Sequence, residues 1–448
     1  MENDVSVFLR NTIIGIIYGD VFGGFMGRIR NSIRQNDLVQ SLGRLRGNAK
    51  ILLFVEPLWG VPINLISPFA AWYMYELGVS DMQIGFLVSI ATVTQFLSAS
   101  FAGVISDKLG RKKTNILGDF IGWTLACLVW AASQNVWFFL IAMVLNSFEQ
   151  VNQTAWNCLL VEDTDKAETV NVYTWVLIAG LVSVFFAPIS GVLIEHFGSV
   201  VPLMRGLYVF FAISMIVKNM ITWKWTRETG QGLIRMEQTR GIPVLSLLKE
   251  YRTLIPLFFR EKLTRNTLVF IILLHVTTIV NSSFFALYAI GTMGISKQYL
   301  AIFPILRSVL MMVFMFLILP KFSHLRLQVP VGTGLLIYIA AQVLLISNVS
   351  GNIPLMILYV IMDAVAFALV MPRRDSMLVL FTDEKERARS VSLLGALTLL
   401  ISVPFGSFAG FLSSLDRRYP FAFSILMYVL ALWVVMRMKV SPENSAEA

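Results

Sequence analysis

Twelve apolar stretches, each close to the roughly 20 residues that a helix needs to cross a bilayer, dominate the chain and restrict the folds open to it. Only 14% of its 448 residues are charged, whereas about a quarter would be in a soluble domain. The pattern predicts an all-α membrane protein with six spans in each half. The predicted limits of spans 1 to 12 are 51–76, 83–104, 114–133, 137–160, 170–194, 200–223, 267–291, 298–319, 329–347, 353–373, 389–412 and 419–437.

The distribution of basic residues predicts how these spans are oriented. If the N-terminus is cytoplasmic, 30 of the 36 Lys and Arg residues fall in cytoplasmic segments, and Lys297, Arg417 and Arg418 are the three in outer loops. Cytoplasmic loops of membrane proteins carry an excess of Lys and Arg. We therefore expect a multi-pass protein of the plasma (cell) membrane with both termini in the cytoplasm.

Polar segments divide the chain into five predicted parts. Residues 1–50 are expected to form a cytoplasmic extension, with a helix on the membrane surface; a flexible Gly-containing tether and an additional span are the alternatives. The remaining parts are an N-terminal bundle over 51–223, a cytoplasmic linker over 224–266, a C-terminal bundle over 267–440 and a tail over 441–448.

The loop between spans 2 and 3 carries a specific motif over residues 103–113, Gly-Val-Ile-Ser-Asp-Lys-Leu-Gly-Arg-Lys-Lys. Glycine at each end allows tight turns, and an acid is favoured near a helix N-terminus. The residues that match the loop 2–3 signature of the major facilitator superfamily are Gly103, Asp107, Lys108, Gly110, Arg111 and Lys112. The chain resembles this family over roughly residues 51–440.

The resemblance implies two pseudo-symmetric six-helix bundles around a central cavity, which rock to expose one site to each side in turn. A weak internal repeat agrees with this, since Lys166 and Lys385, and likewise Gly191 and Gly410, are 219 residues apart. By the same resemblance, the motif forms a cytoplasmic latch together with the acidic residues Glu162 and Asp163 after span 4. Span 4 departs from the family pattern because it lacks an Arg near its start, so no proton-coupling role of that residue carries over.

Polar residues within the spans are candidates for a substrate or proton pathway, because such side chains are costly in hydrocarbon. In span 4 they recur at spacings of three and four, which gives one helix face a polar stripe. Interhelical hydrogen bonding is the alternative role for this stripe. Asn64 in span 1 and His275 in span 7 are weaker candidates, since each alone is more often a packing residue. The stripe comprises Asn146, Glu149, Asn152, Gln153 and Asn157.

Three ionisable residues fall near the bilayer midplane. Glu149, Arg307 and Asp363 lie about 13–18 Å along spans 4, 8 and 10 at the helical rise. We expect them to face the cavity, with Arg307 binding an anionic or hydroxyl-rich group and one carboxylate carrying a proton. A structural Arg307–Asp363 ion pair is the alternative. Asp119 and Lys218 lie near the inner ends of spans 3 and 6. The alternative for each is snorkelling, in which the side chain extends to the membrane surface instead of facing the bundle interior.

Motifs of enzymes and metal sites are absent from the sequence. It has no Walker A, G-x-S-x-G or H-E-x-x-H pattern, and its two cysteines and three histidines are scattered. We therefore expect no cofactor, no metal, no nucleic acid and no enzymatic activity. The leading interpretation is a monomeric secondary transporter that binds a small-molecule substrate and couples to a proton. A multidrug exporter and a non-transporting membrane receptor are the alternatives.

Overall fold

The computed structural model describes residues 37–243, 262–314, 328–380 and 387–438. Residues 1–36 of the predicted extension, 244–261 of the linker and the tail 441–448 lie outside this description. Every regular element in the described ranges is helical. A short helix, α1, covers Asp37–Arg44 and precedes the first span.

The first half contains eight helices that correspond to spans 1 to 6. Proline interrupts span 1 at two points, at Glu56–Pro57 and at the 3₁₀ turn Ser67–Phe69, because proline cannot donate the backbone hydrogen bond of a regular helix. Span 3 contains a π-helical segment at Phe120–Leu125. The helices are α2 Gly47–Glu76, α3 Asp81–Leu109, α4 Arg111–Ala132, α5 Val136–Asn146, α6 Glu149–Val161, α7 Lys166–Val184, α8 Ala187–Phe197 and α9 Val200–Trp225.

A linker helix and six further spans follow. The linker helix, α10, begins after Thr229, whose side chain accepts a hydrogen bond from the Gly232 amide and so caps it. The helices are α10 Gly230–Gln238, α11 Lys262–Gly291, α12 Lys297–Val313, α13 Gln328–Ser347, α14 Ile353–Leu380, α15 Arg387–Leu415 and α16 Tyr419–Arg437.

Ten of the twelve predicted spans are helical stretches long and apolar enough to cross a membrane, as far as the described residues go. Spans 4 and 5 are each divided by a two-residue turn, at Ser147–Phe148 and at Phe185–Phe186, and span 4, which carries the polar stripe, is not among the ten. Span 8 is described as the 17 residues of α12, which stops where the described range ends. The predicted twelve-helix, two-bundle architecture is confirmed.

The two halves pack against each other at one end of the helices. We call the end that carries residues 103–113 the motif end, and the other the opposite end. Gly410 of α15 meets α3, where a Cβ on it would lie 2.7 Å from the Gly85 Cα. Gly191 of α8 meets α12 in the same way, since a Cβ there would lie 2.7 Å from the Ala301 Cβ. The repeated glycines therefore form two equivalent seams between the halves.

Hydrogen bonds between the halves follow the same seams. Arg417, just after α15, pairs with Asp81 at the start of α3, with an Nε–Oδ2 distance of 3.0 Å. Two helical turns further in, Ser89 Oγ donates to the Val403 carbonyl at 2.6 Å. Among the described residues, all hydrogen bonds that join the halves lie within about 12 Å of the opposite end. The central space is therefore closed at that end.

Candidate functional site

A cavity of about 520 Å³ lies between the two halves. The second half supplies most of its wall, from α11, α12 and α14 with single residues of α13 and α16. The first half supplies Asn64, Ser67, Pro68 and Val184. The 3₁₀ turn at Ser67–Phe69 brings two of these side chains to the cavity. Apolar and aromatic groups dominate the surface, as is usual in small-molecule sites.

Arg307 and Asp363 are the two charged residues in the cavity wall, and they pair with each other. Arg307 Nε lies 2.5 Å from Asp363 Oδ2, and the guanidinium carbon is 4.7 Å from the Phe367 ring centre. The Arg307 side chain stays 38% exposed, while that of Asp363 is 15% exposed. Neither Nη atom of Arg307 makes a hydrogen bond to a described residue, so these donors remain available to a ligand.

Tyrosines form the wall beside this pair. Tyr338 and Tyr428 stack with ring centres 4.7 Å apart, and Phe285 stacks on Tyr359 at 5.8 Å. Sequence reasoning missed these tyrosines as site residues. The available signal was the presence of three tyrosines inside otherwise apolar spans of the second half, since a tyrosine hydroxyl in hydrocarbon needs a polar neighbour.

The weaker sequence candidates separate in the structure. Asn64 lines the cavity and donates to the Gly60 carbonyl at 2.7 Å, whereas His275 does not belong to the wall. Asn281 of α11 also lines it and accepts a hydrogen bond from Gln342 at 3.4 Å. Gln153 is exposed on α6 and is not a wall residue.

Asn152 belongs to a buried network inside the first half. Asp119 and Lys218 form an ion pair at 2.9 Å, with side chains 0% and 4% exposed. Asn152 donates to Asp119 at 2.7 Å and accepts a hydrogen bond from Asn115. The snorkelling alternative for Asp119 and Lys218 is therefore wrong, because each neutralises the other in the bundle interior.

Glu149 is near this network and is not among the residues that line the cavity. It is the first residue of α6, at the break in span 4, and is half-buried. A Cβ on Gly122 of span 3 would lie 3.0 Å from the Glu149 nitrogen, so the two backbones touch here. The structure thus brings Arg307 and Asp363 together in the second half and leaves Glu149 in the first.

The motif residues form a compact ionic cluster at the motif end. Arg111 pairs with Asp107 at 2.6 Å and with Glu162 at 3.1 Å, and it donates to Ser106 at 3.0 Å. Asp163 accepts a hydrogen bond from the Gly230 amide at 3.2 Å. Gly103 and Lys108 make no comparable contact with the described residues, and a Cβ on Gly103 would meet open space.

Glu228 of the linker is a residue of this cluster that sequence reasoning missed. Its carboxylate accepts hydrogen bonds from the amides of Arg111 and Lys112 at 2.8 and 3.1 Å, at the N-terminus of α4. Gly110 adjoins it with φ +86°, and a Cβ there would lie 2.5 Å from Glu228 Oε2. The positive φ favours glycine at this position, because other residues rarely adopt it.

Known proteins resemble the chain in sequence and in fold. A family profile described as Major Facilitator Superfamily matches residues 60–332. Multidrug resistance protein MdtG of Yersinia enterocolitica is 25% identical over 207 residues, 45% of this chain and 49% of that protein. The uncharacterized MFS-type transporter YqjV of Bacillus subtilis is 29% identical over 138 residues, 30% of this chain and 33% of that protein. The matches thus span half or less of these relatives.

Solved structures extend the likeness to nearly the whole chain. The nucleoside transporter NupG superposes with a TM-score of 0.66 at 14% identity, covering 88% of this chain and 100% of NupG. The inward open xylose transporter XylE from E. coli gives a TM-score of 0.66 at 14% identity, covering 89% and 98%. These likenesses establish the fold. Because the family profile also covers more than half of the 448 residues, the chain belongs to the Major Facilitator Superfamily.

Proposed function

We propose that this protein is a secondary active transporter that moves a small solute across the membrane by alternating access, coupled to protons. The observation that carries the proposal is the cavity between the halves, sealed at the opposite end and containing one ion pair. A site at the interface of two repeats is what alternating access requires, because rocking of the halves then exposes it to either side. Family membership supports a transporter rather than an enzyme.

The proposed substrate is an organic solute with an anionic or hydroxyl-rich group and an apolar or aromatic body. The free Nη atoms of Arg307 suit an anion, since a guanidinium can bind a carboxylate or phosphate through two hydrogen bonds. The stacked tyrosines and Phe285 suit a flat apolar group. A multidrug exporter is the second candidate, supported by the name of the MdtG relatives and by the same aromatic wall.

Transport by purified protein in liposomes tests this proposal. We would follow benzoate as an aromatic anion, uridine as a hydroxyl-rich solute and ethidium as a cationic drug, with and without a proton gradient. We expect gradient-driven transport of benzoate or uridine. Arg307→Gln should raise the apparent KM at least about tenfold, the effect of losing one charge-assisted hydrogen bond.

The matched control for this experiment is Arg205→Gln. Arg205 is also an arginine within a span, but it donates to the Ser133 carbonyl in the first half and does not line the cavity. An Arg307→Gln protein that transports with the parent's KM would remove Arg307 from the site. Transport of ethidium alone would favour the multidrug exporter, and transport of none of the three probes would contradict the proposal.

The motif end is proposed to face the cytoplasm of the cell, with both chain termini on that side and the protein acting as a monomer. The support is the excess of basic residues in the segments at that end. We further propose that Asp107 and Arg111 are part of a latch that favours one transport state. Their contacts with Glu162 and with the linker support this role. Because the groups share ion pairs and hydrogen bonds, a movement of one of them changes the contacts of the others.

Cysteine labelling in intact cells checks the orientation. In a background with Cys127 and Cys158 replaced by serine, we expect an impermeant maleimide to label Thr292→Cys directly. Lys113→Cys should be labelled only after the membrane is permeabilised. Both positions are exposed, so differences in burial do not explain the expected contrast. Labelling of Lys113→Cys in intact cells would reverse the orientation.

A further inference from the structure

Four carboxyl groups lie within the spans, and they differ in how their charge is compensated. Asp363 has the Arg307 guanidinium at 2.5 Å, and Asp119 has the Lys218 ammonium at 2.9 Å. Glu56 of α2, like Glu149, makes no ion pair or hydrogen bond with a described residue, but the charge of Lys218 attracts its ionised form, against repulsion from Asp119. Glu149 makes no ion pair and no hydrogen bond with a described residue. Asp119, whose carboxyl group carries the same charge, acts on it electrostatically.

The start of helix α6 does not compensate Glu149 either. A carboxylate at a helix N-terminus is normally stabilised by free backbone amides. Here the amides of Gln150, Val151 and Asn152 donate to the carbonyls of Ser147 and Phe148 across the break in span 4. These three amides are therefore not free to bind the Glu149 carboxylate.

The surroundings of Glu149 come from four neighbouring helices. Span 3 contributes Asp119, and beyond it span 6 contributes Lys218 and span 1 contributes Glu56. Span 2 has no titratable residue between Asp81 and Asp107. Asn115 in the same network is fully buried, and its Oδ1 atom has no hydrogen-bond partner among the described residues, so the polar interior is incompletely satisfied. In this part of the described first half, Lys218 is therefore a single cation for three carboxyl groups, those of Asp119, Glu56 and Glu149.

An ionised carboxylate without a cation is costly inside a bilayer, and a nearby like charge adds to the cost. Binding a proton at Glu149 removes both the cost of the buried charge and the repulsion from the like charge. Binding a proton at Asp363 would instead leave Arg307 without its ion-pair partner, and binding one at Asp119 would do the same to Lys218. We propose that Glu149 binds the coupled proton, in the first half, while the Arg307–Asp363 pair binds substrate in the second half.

This division of roles deepens the proposed function. The claim that the proton is coupled to transport rests on that function. Proton binding itself is tested without any substrate. Infrared difference spectra of the purified protein, recorded between about pH 4 and pH 9 to span the ordinary range of a glutamate and beyond, detect the carbonyl stretch of a protonated carboxyl group. We expect a buried-carboxyl band in the parent that persists above the ordinary glutamate range and is lost in Glu149→Gln. The same band should remain in Asp363→Asn and in the matched control Glu76→Gln, an exposed glutamate outside the cavity.

Glu149→Asp controls for loss of the band through misfolding. It keeps a carboxyl group at this position, so we expect the band to shift rather than disappear. In liposomes, Glu149→Gln should lose gradient-driven uptake of the transported probe and keep exchange. A band that survives in Glu149→Gln and disappears in Asp363→Asn would assign the proton to Asp363 and overturn the proposal. If the parent transports no probe, the proposed function fails, and the infrared result still decides whether Glu149 binds a proton.

Discussion

Asp119→Asn should destabilise the protein by about 3–5 kcal/mol, the usual cost of removing one partner of a buried ion pair. The substitution keeps an acceptor for Asn152 but removes the negative charge that lies 2.9 Å from the Lys218 ammonium. Both side chains are almost fully buried, so water does not replace the lost partner. The measurement is the thermal unfolding of purified protein in detergent, followed by tryptophan fluorescence.

The double variant Asp119→Asn/Lys218→Met makes this prediction specific. It removes both charges of the ion pair, and we expect it to recover much of the stability lost in Asp119→Asn, because the buried ammonium that lost its partner is also gone. Lys224→Met is the matched control, since Lys224 is exposed on the same helix. A single variant as stable as the parent would mean that the ion pair does not hold the first half together.

Arg417→Gln should open the opposite end of the molecule. Asp81 accepts hydrogen bonds from Arg417 at 3.0 and 3.1 Å and from Ser413 at 2.7 Å. Arg417 also donates to the Leu287 carbonyl and lies over the Tyr75 ring. Because these contacts join the halves only while that end is closed, their loss favours the state in which the cavity opens there.

A cysteine in the cavity reports this change. Ser282 lies in the cavity wall. In the background without Cys127 and Cys158, the Ser282→Cys protein is treated with an impermeant thiol reagent added on the side of the membrane that the opposite end faces. We expect labelling to be about 5- to 150-fold faster with Arg417→Gln, the range of a coupling of about 1–3 kcal/mol. Combining Asp81→Arg with Arg417→Asp should restore slow labelling.

Arg418→Gln is the control for that experiment. Arg418 is adjacent in sequence, but it pairs with Asp416 two residues away and is more exposed than Arg417. Its loss removes the same charge without removing a contact between the halves. An unchanged labelling rate in Arg417→Gln, or an equal increase in Arg418→Gln, would contradict a clamp at this position.

The glycines of the internal repeat illustrate how far sequence reasoning reaches. Their equal spacing in the two halves indicated a duplicated architecture, and Gly191 and Gly410 do occupy equivalent seams between the halves. Sequence did not identify what each glycine packs against, because the partner helices α12 and α3 are distant in the chain. The same limit applies to Asp81 and Arg417, which are 336 residues apart.

The twelve spans, the family and the depth of each charged residue were determined by the sequence alone. Hydrocarbon requires apolar helices of a known length, and position along a helix follows from counting residues. The predicted depths of Arg307, Asp363 and Glu149 come from that count. Which neighbour each side chain faces was decided only by the tertiary structure. The break at Ser147–Phe148 interrupts α-helical geometry within span 4, and Glu149 now begins α6 close to Asp119. Rotation about a helix axis is set by packing against other helices, which no local pattern of residues specifies.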